Sequence, residues 1–176
     1  TPVNLVNAKS PFTGDGSNPF PALGAFRMQK VAGWTHSSNA IVSYDNNGKA
    51  FSLFIAPVWG LAPVGNGKVH QTVELQQGHY VLKIRVGGAI GPCDVYGVIS
   101  RGTSLPDYSM VTTSPNTISY INLVENQNKT IELLVIVTEP TPVNIGVVYN
   151  LRDQYAATGT PWTSFNTNAF ELTRVQ

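Results

Sequence analysis

Residues 66–86, NGKVHQTVELQQGHYVLKIRV, decide the reading of this chain. From Tyr80 onward the side chains alternate: Tyr80, Leu82, Ile84 and Val86 fall on one side of an extended chain, and Val81, Lys83 and Arg85 on the other. A period of two marks a half-buried strand, because successive side chains of a β-strand point to opposite faces. The preceding residues read as a second strand and Gln76-Gln77-Gly78 as a turn. The stretch therefore predicts an antiparallel hairpin, with Tyr80, Leu82, Ile84 and Val86 facing a core.

Outward from this stretch, strand-like runs follow one another at 3–7, 26–32, 40–44, 50–55, 94–100, 117–124, 130–137, 143–149 and 165–175. Turn-forming clusters separate them, including the Pro- and Gly-rich loop 10–24 and an Asn-rich turn at 125–129. Asn46-Asn47-Gly48 predicts a tight hairpin turn, since Asn-Gly adopts type I′ geometry at little cost. The run 131–137, Ile-Glu-Leu-Leu-Val-Ile-Val, is apolar on both faces toward its end, which suits a central strand covered on both sides. No segment carries a helical stripe with capping signals. About nine to eleven short strands at this spacing imply an all-β fold, an antiparallel β-sandwich.

The composition agrees. A chain of 176 residues suits a single domain spanning 1–176, large enough to bury a core without staples. Charged residues make up 12%, about half the usual share, and the formal net charge is +1. No electrostatic footprint for nucleic acid is present, and no run of about 18 apolar residues predicts a transmembrane segment. Cys93 is the single cysteine, so no intrachain disulfide can form. The chain begins at Thr1 without Met, which predicts a mature or trimmed piece of a longer exported protein with further domains. Asn128-Lys129-Thr130 is a glycosylation sequon that matters only in a eukaryotic secretory setting.

Catalytic constellations are absent from the motif record. His36, His70 and His79 are scattered without the spacing that seats a transition metal. Asp15 and Glu171 are candidate ligands for a structural calcium ion if the first and last strands are neighbours; no other cofactor is expected. No Gly-x-Ser-x-Gly elbow occurs, and the acids are spread over turns and strand ends. A glycan-active enzyme would need two carboxylates, or a Tyr/His/Arg group, converging in one cleft.

Aromatics in loops carry more information. Sugars present flat C–H faces edged by hydroxyls, so a site for them needs an aromatic platform beside hydrogen-bonding groups. Trp34, with His36 and Asn39, sits in one such loop; Trp59 sits in a second; Arg101 leads to Asp107 and Tyr108 in a third; Trp162 precedes the last strand. Each tryptophan has the competing role of filling the core or its rim.

Lys68–Leu75 with Gly78-His79-Tyr80, and the close Ser164-Phe165-Asn166-Thr167-Asn168-Ala169-Phe170-Glu171-Leu172, resemble galactose-binding-like jelly rolls of the carbohydrate-binding-module kind. Gly33-Trp34-Thr35 followed by Asn66-Gly67-Lys68 looks like an uncharacterised C-terminal domain of Bacteroidetes surface lipoproteins. The resemblance implies a jelly-roll sandwich, export to the cell surface or periplasm, and glycan binding without catalysis. It also implies a structural calcium ligand at Glu171. A structural or protein-interaction domain of a lipoprotein is the alternative function, and a glycan-active enzyme the second.

Overall fold

The structure, a computed structural model, describes residues 1–45 and 49–176. The expected Asn46-Asn47-Gly48 turn lies outside the described residues. Twelve strands occur among them: β1 (Pro2–Val3), β2 (Met28–Gln29), β3 (Thr35–His36), β4 (Val42–Asp45), β5 (Phe51–Ile55), β6 (Val64–Leu75), β7 (Gly78–Ile90), β8 (Cys93–Ser100), β9 (Thr117–Asn122), β10 (Thr130–Val137), β11 (Thr141–Leu151) and β12 (Thr163–Arg174). They form two antiparallel sheets. One runs β10-β7-β12-β5-β4-β2, with β1 also paired to β12; the other runs β3-β6-β11-β8-β9. This is the predicted β-sandwich, of jelly-roll type.

The core lies between the two sheets and follows from the alternation. Tyr80, Leu82, Ile84 and Val86 of β7 are buried, as are Phe51, Leu53 and Ile55 of β5. They face Val95 and Ile99 of β8 and Ile145 and Val147 of β11 in one apolar cluster. Lys83 and Arg85 point to solvent. Strand β12 is the spine of the larger sheet. It pairs with β7 along one side, and on the other with β5 over Thr163–Thr167 and with β1 at Leu172 and Thr173.

Two strand expectations are corrected. β6 and β7 are not a hairpin: β6 pairs with β11 and β3 in the five-stranded sheet, and β7 with β10 and β12 in the seven-stranded one. Gln76-Gln77 carries the chain across the sandwich. The Tyr80 hydroxyl donates to the Gln76 carbonyl at 2.7 Å and the Arg174 guanidinium to the Gln77 carbonyl at 2.6 Å, which fix the crossing. Alternation reports which face a side chain takes, not which strand lies beside it, so both arrangements write the same pattern. The second correction concerns β10. It is an edge strand rather than a central one, with Leu133, Val135 and Val137 buried but Leu134 and Ile136 55% and 44% exposed.

Candidate ligand-binding groove

The outer face of the seven-stranded sheet is formed by the residues that alternate with the core. On β5 these are Ser52 and Phe54, directly opposite Asn166 and Ser164 of β12. Short polar side chains at three of these four positions leave a trough. A groove of about 420 Å³ occupies it, lined by Leu23, Arg27, Met28, Trp59, Trp162 and Asn166 together with these strand residues.

Two loops raise the aromatic wall. Pro57–Trp59 forms a 3-10 turn whose entry is pinched by the Ala56–Leu61 bridge. Gly60 closes it in the left-handed region, φ 94°, with its N–H on the Pro57 carbonyl at 3.0 Å; a side chain there would be strained. The turn lifts Trp59 off the sheet, 41% exposed. Trp162 is half-buried and is positioned through its backbone, whose carbonyl accepts from Gln154 Nε2 at 2.8 Å. Gly91 lets Gln154 approach, since a Cβ on Gly91 would come within 2.4 Å of that same nitrogen. Next to it, the Thr163 hydroxyl donates to the Arg152 carbonyl at 2.7 Å.

The two indoles lie nearly parallel, 26° apart, with centroids 6.3 Å apart. The pair forms one aromatic wall of the groove. Trp162 also packs with Phe20, Met28 and Leu61 in a satellite cluster beneath the groove. On the floor, Asn166 borders a stretch where the β7–β12 ladder slips twice, first opposite Gly87 and Gly88 and then at Asn168. Register shifts of this kind re-aim side chains. Asn166 Oδ1 is shielded and has no hydrogen-bond partner among the described residues, an acceptor that costs free energy while unmatched. No Asp or Glu is among the described lining residues.

The other residues expected at a site are held elsewhere. Trp34 is 6% exposed: its ring packs edge-on against Phe51 at 4.9 Å and tilted against Phe170 at 5.1 Å, and its Nε1 donates to the Asn7 carbonyl at 3.0 Å. It offers no free face to a ligand. His36 lies on β3, at the edge of the five-stranded sheet, where burial and nearby Lys30 hold its imidazole down to about 4. Asn39 is a loop fastener: Nδ2 donates to the Gly65 carbonyl at 2.6 Å and Oδ1 accepts from Ser37 at 2.7 Å.

Arg101, Asp107 and Tyr108 belong to the segment 101–116 on the outer face of the five-stranded sheet. Leu105 and Val111 of that segment pack on Val98 and Val148, with Tyr96 and Tyr108 at the margin. The Arg101 N–H donates to the Asn116 carbonyl at 2.8 Å. Asp107 accepts from Lys68 at 2.7 Å and Asn66 at 3.1 Å, which keep its carboxyl below the usual carboxylate range. Burial pushes the Tyr108 phenol up. Its ring lies 5.1 Å from that of Tyr96.

Asp15 and Glu171 have different neighbours. Burial raises the Asp15 carboxyl, but hydrogen bonds from Ser17 and the nearby His36 and Lys30 more than reverse it. Glu171 faces Arg85 at 3.6 Å, across from Lys83 on β7. Among the described residues no group of three His, Cys, Asp or Glu could hold a metal ion. No helix among them is long and apolar enough to cross a membrane.

Of the aromatic candidates, then, Trp59 and Trp162 share one groove. Sequence reasoning missed its floor and second wall: Leu23, Arg27, Met28, Phe54, Ser164 and Asn166. One signal was available. Phe54 falls on the outward phase of β5, where an apolar residue needs a cover.

Comparison with known proteins gives a family and a fold. The family model described as "Domain of unknown function (DUF5013)" matches residues 6–146. No curated protein matches the chain. Among solved structures, a family 61 carbohydrate-binding module in complex with β-1,4-galactotriose is similar at 15% identity and TM-score 0.50, covering 93% of this chain and 99% of that one. A structure titled "CBM4 structure and function" follows at 11% identity and TM-score 0.46, over 81% and 95%. The C-terminal family 22 module of Clostridium thermocellum xylanase 10B gives 13% identity and TM-score 0.43, over 97% of each chain.

Proposed function

The chain belongs to the family described as "Domain of unknown function (DUF5013)", and from that premise and its own groove we propose that it is a non-catalytic carbohydrate-binding domain. The observation that carries the reading is the near-parallel pair Trp59–Trp162 lining one groove with Ser164 and Asn166. An aromatic strip receives the C–H face of a sugar, and the serine and asparagine beneath meet hydroxyls at its edge. Groove volume alone does not choose this site. A larger trough of about 630 Å³ runs between residues 2–11 and β12, but it holds no tryptophan.

The lining supports binding rather than hydrolysis. Glycoside hydrolysis needs two carboxyl groups about 5–10 Å apart across the bond, and the described lining supplies neither. One small open groove binds weakly, on the order of micromolar to millimolar. The partners in this reading are glycans and the other domains of a longer, exported chain at a bacterial cell surface or periplasm. Low charge and the resemblance to surface-lipoprotein domains support that setting.

Isothermal titration with β-1,4-galacto-, cello- and xylo-oligosaccharides tests it, starting from galactotriose, the ligand of the family 61 module. The wild-type chain is expected to bind at least one of them, with affinity lost in Trp59→Ala and Trp162→Ala. Equal binding by both variants would remove the groove from consideration.

A further inference from the structure

Among the described residues, five other than glycine have positive φ: Asn7, Phe26, Lys49, Asn66 and Asn128. Asparagine tolerates the left-handed region through its short polar side chain; a phenylalanine there, at φ 60°, is an outlier. Its neighbours hold it in place from both sides. The Phe26 N–H donates to Asn18 Oδ1 at 3.0 Å, and its carbonyl accepts from Gln29 Nε2 at 2.8 Å. The Arg27 N–H reaches back to the Gly24 carbonyl at 3.3 Å.

The ring gains little from this arrangement, since Phe26 is 51% exposed. A glycine would occupy the same backbone without strain and without leaving an aromatic in water. Strained residues pinned by surrounding bonds concentrate where ligands are gripped, so the explanation for Phe26 is sought in its position. Leu23, Arg27 and Met28, on either side of it in the chain, line the groove that carries Trp59 and Trp162.

We infer that Phe26 is a ligand-contacting residue at the rim of the groove, its ring covering a sugar unit beyond the one seated on Trp59 and Trp162. The ligand class is thereby a linear glycan of several units rather than a mono- or disaccharide. The inference rests on the carbohydrate-binding reading of the groove. Trp59, Trp162 and the rim ring then have one role: successive apolar faces along a chain of sugars.

The test titrates the full chain with galacto-, cello- and xylo-oligosaccharide ladders of two to six units, using wild type, Phe26→Gly, Phe26→Tyr and Trp162→Ala. For the ladder that binds, Phe26→Gly is expected to weaken the longer oligomers about tenfold, the scale of one lost aromatic contact, and to leave the shortest binding oligomer unchanged. Phe26→Tyr keeps the affinity. Because glycine relieves the backbone, Phe26→Gly melts no lower than wild type. A ring serving only to pack would give the reverse pattern, a lowered melting temperature with unaltered binding, and that result overturns the inference. So does a loss that is equal at every chain length. If Trp162→Ala abolishes binding while Phe26→Gly leaves it intact, the groove stands and the rim residue falls. If no ladder binds the wild type, the glycan reading fails and this inference with it.

Discussion

The outer faces of the two sheets make an instructive contrast. On the five-stranded sheet the segment 101–116 is folded down as a cover, seated by Leu105 and Val111 on Val98 and Val148. Polar groups lock it. Asn144, fully buried, donates to the Gly102 carbonyl at 3.0 Å and accepts from the Thr72 hydroxyl at 2.9 Å, while Asp107 is held by Lys68 and Asn66. On the seven-stranded sheet the trough over β5 and β12 has walls but no lid, and Trp59 stands 41% exposed above it. Both faces carry aromatic and amide side chains. What separates them is whether those groups already have partners inside the protein. Saturated polar groups fasten; an exposed aromatic strip beside small polar residues can receive a ligand.

Substitutions that break this contrast rank by size. Trp34→Ala removes a ring packed on Phe51 and Phe170, so it should cost about 3–5 kcal/mol in chemical denaturation. Asn144→Ala leaves the Gly102 carbonyl and Thr72 unmatched under the cover and should cost about 1–3 kcal/mol, with faster hydrogen exchange confined to 101–116. Trp162→Ala inverts the pattern: affinity for the bound oligosaccharide falls about tenfold or more, equivalent to about 1.4 kcal/mol, whereas unfolding shifts by less than the Trp34 variant's.

A pH effect comes next. His36 is held down to about 4 in the fold, whereas the unfolded chain takes up that proton near 6.5. Between those values the unfolded state binds more protons, so stability present above pH 6.5 is lost as pH falls toward 4. Replacing His36 by Asn should reduce the pH dependence of the denaturation midpoint over that window, with His70, also held down by burial, supplying the remainder. Smallest is Asp107→Asn. Its pair with Lys68 is exposed on the Asp side and contributes under about 1 kcal/mol, so the variant should keep both melting temperature and glycan affinity. A large loss of affinity there would move the site to the covered face.

The strands were legible and their partners were not. The alternation of Tyr80, Leu82, Ile84 and Val86 gave the buried face of β7 correctly, because burial of one face is a local matter of every second residue. That β6 crosses to the opposite sheet depends on pairing with β11, some seventy positions along the chain, and no local pattern records it. β10 shows the same limit from the other side: Leu134 and Ile136 read as covered, yet they stand 55% and 44% exposed. The tryptophans differ in the same way. Trp34 and Trp59 both sit in loops, but Trp34 is buried against Asn7, Phe51 and Phe170, whereas Trp59 meets Trp162 and keeps 41% of its surface exposed; all of these partners are distant in sequence. The floor of the groove needed the adjacency of β5 and β12, two strands more than a hundred residues apart.

The most direct test of the groove uses the three indole N–H resonances in a ¹⁵N-labelled sample titrated with the oligosaccharide that binds most tightly. Trp59 and Trp162 should shift together and saturate with the same dissociation constant, while Trp34, buried and bonded to the Asn7 carbonyl, stays where it is. Saturable shifts at the backbone amides of 101–116 with the Trp59 and Trp162 indoles unmoved would contradict the account.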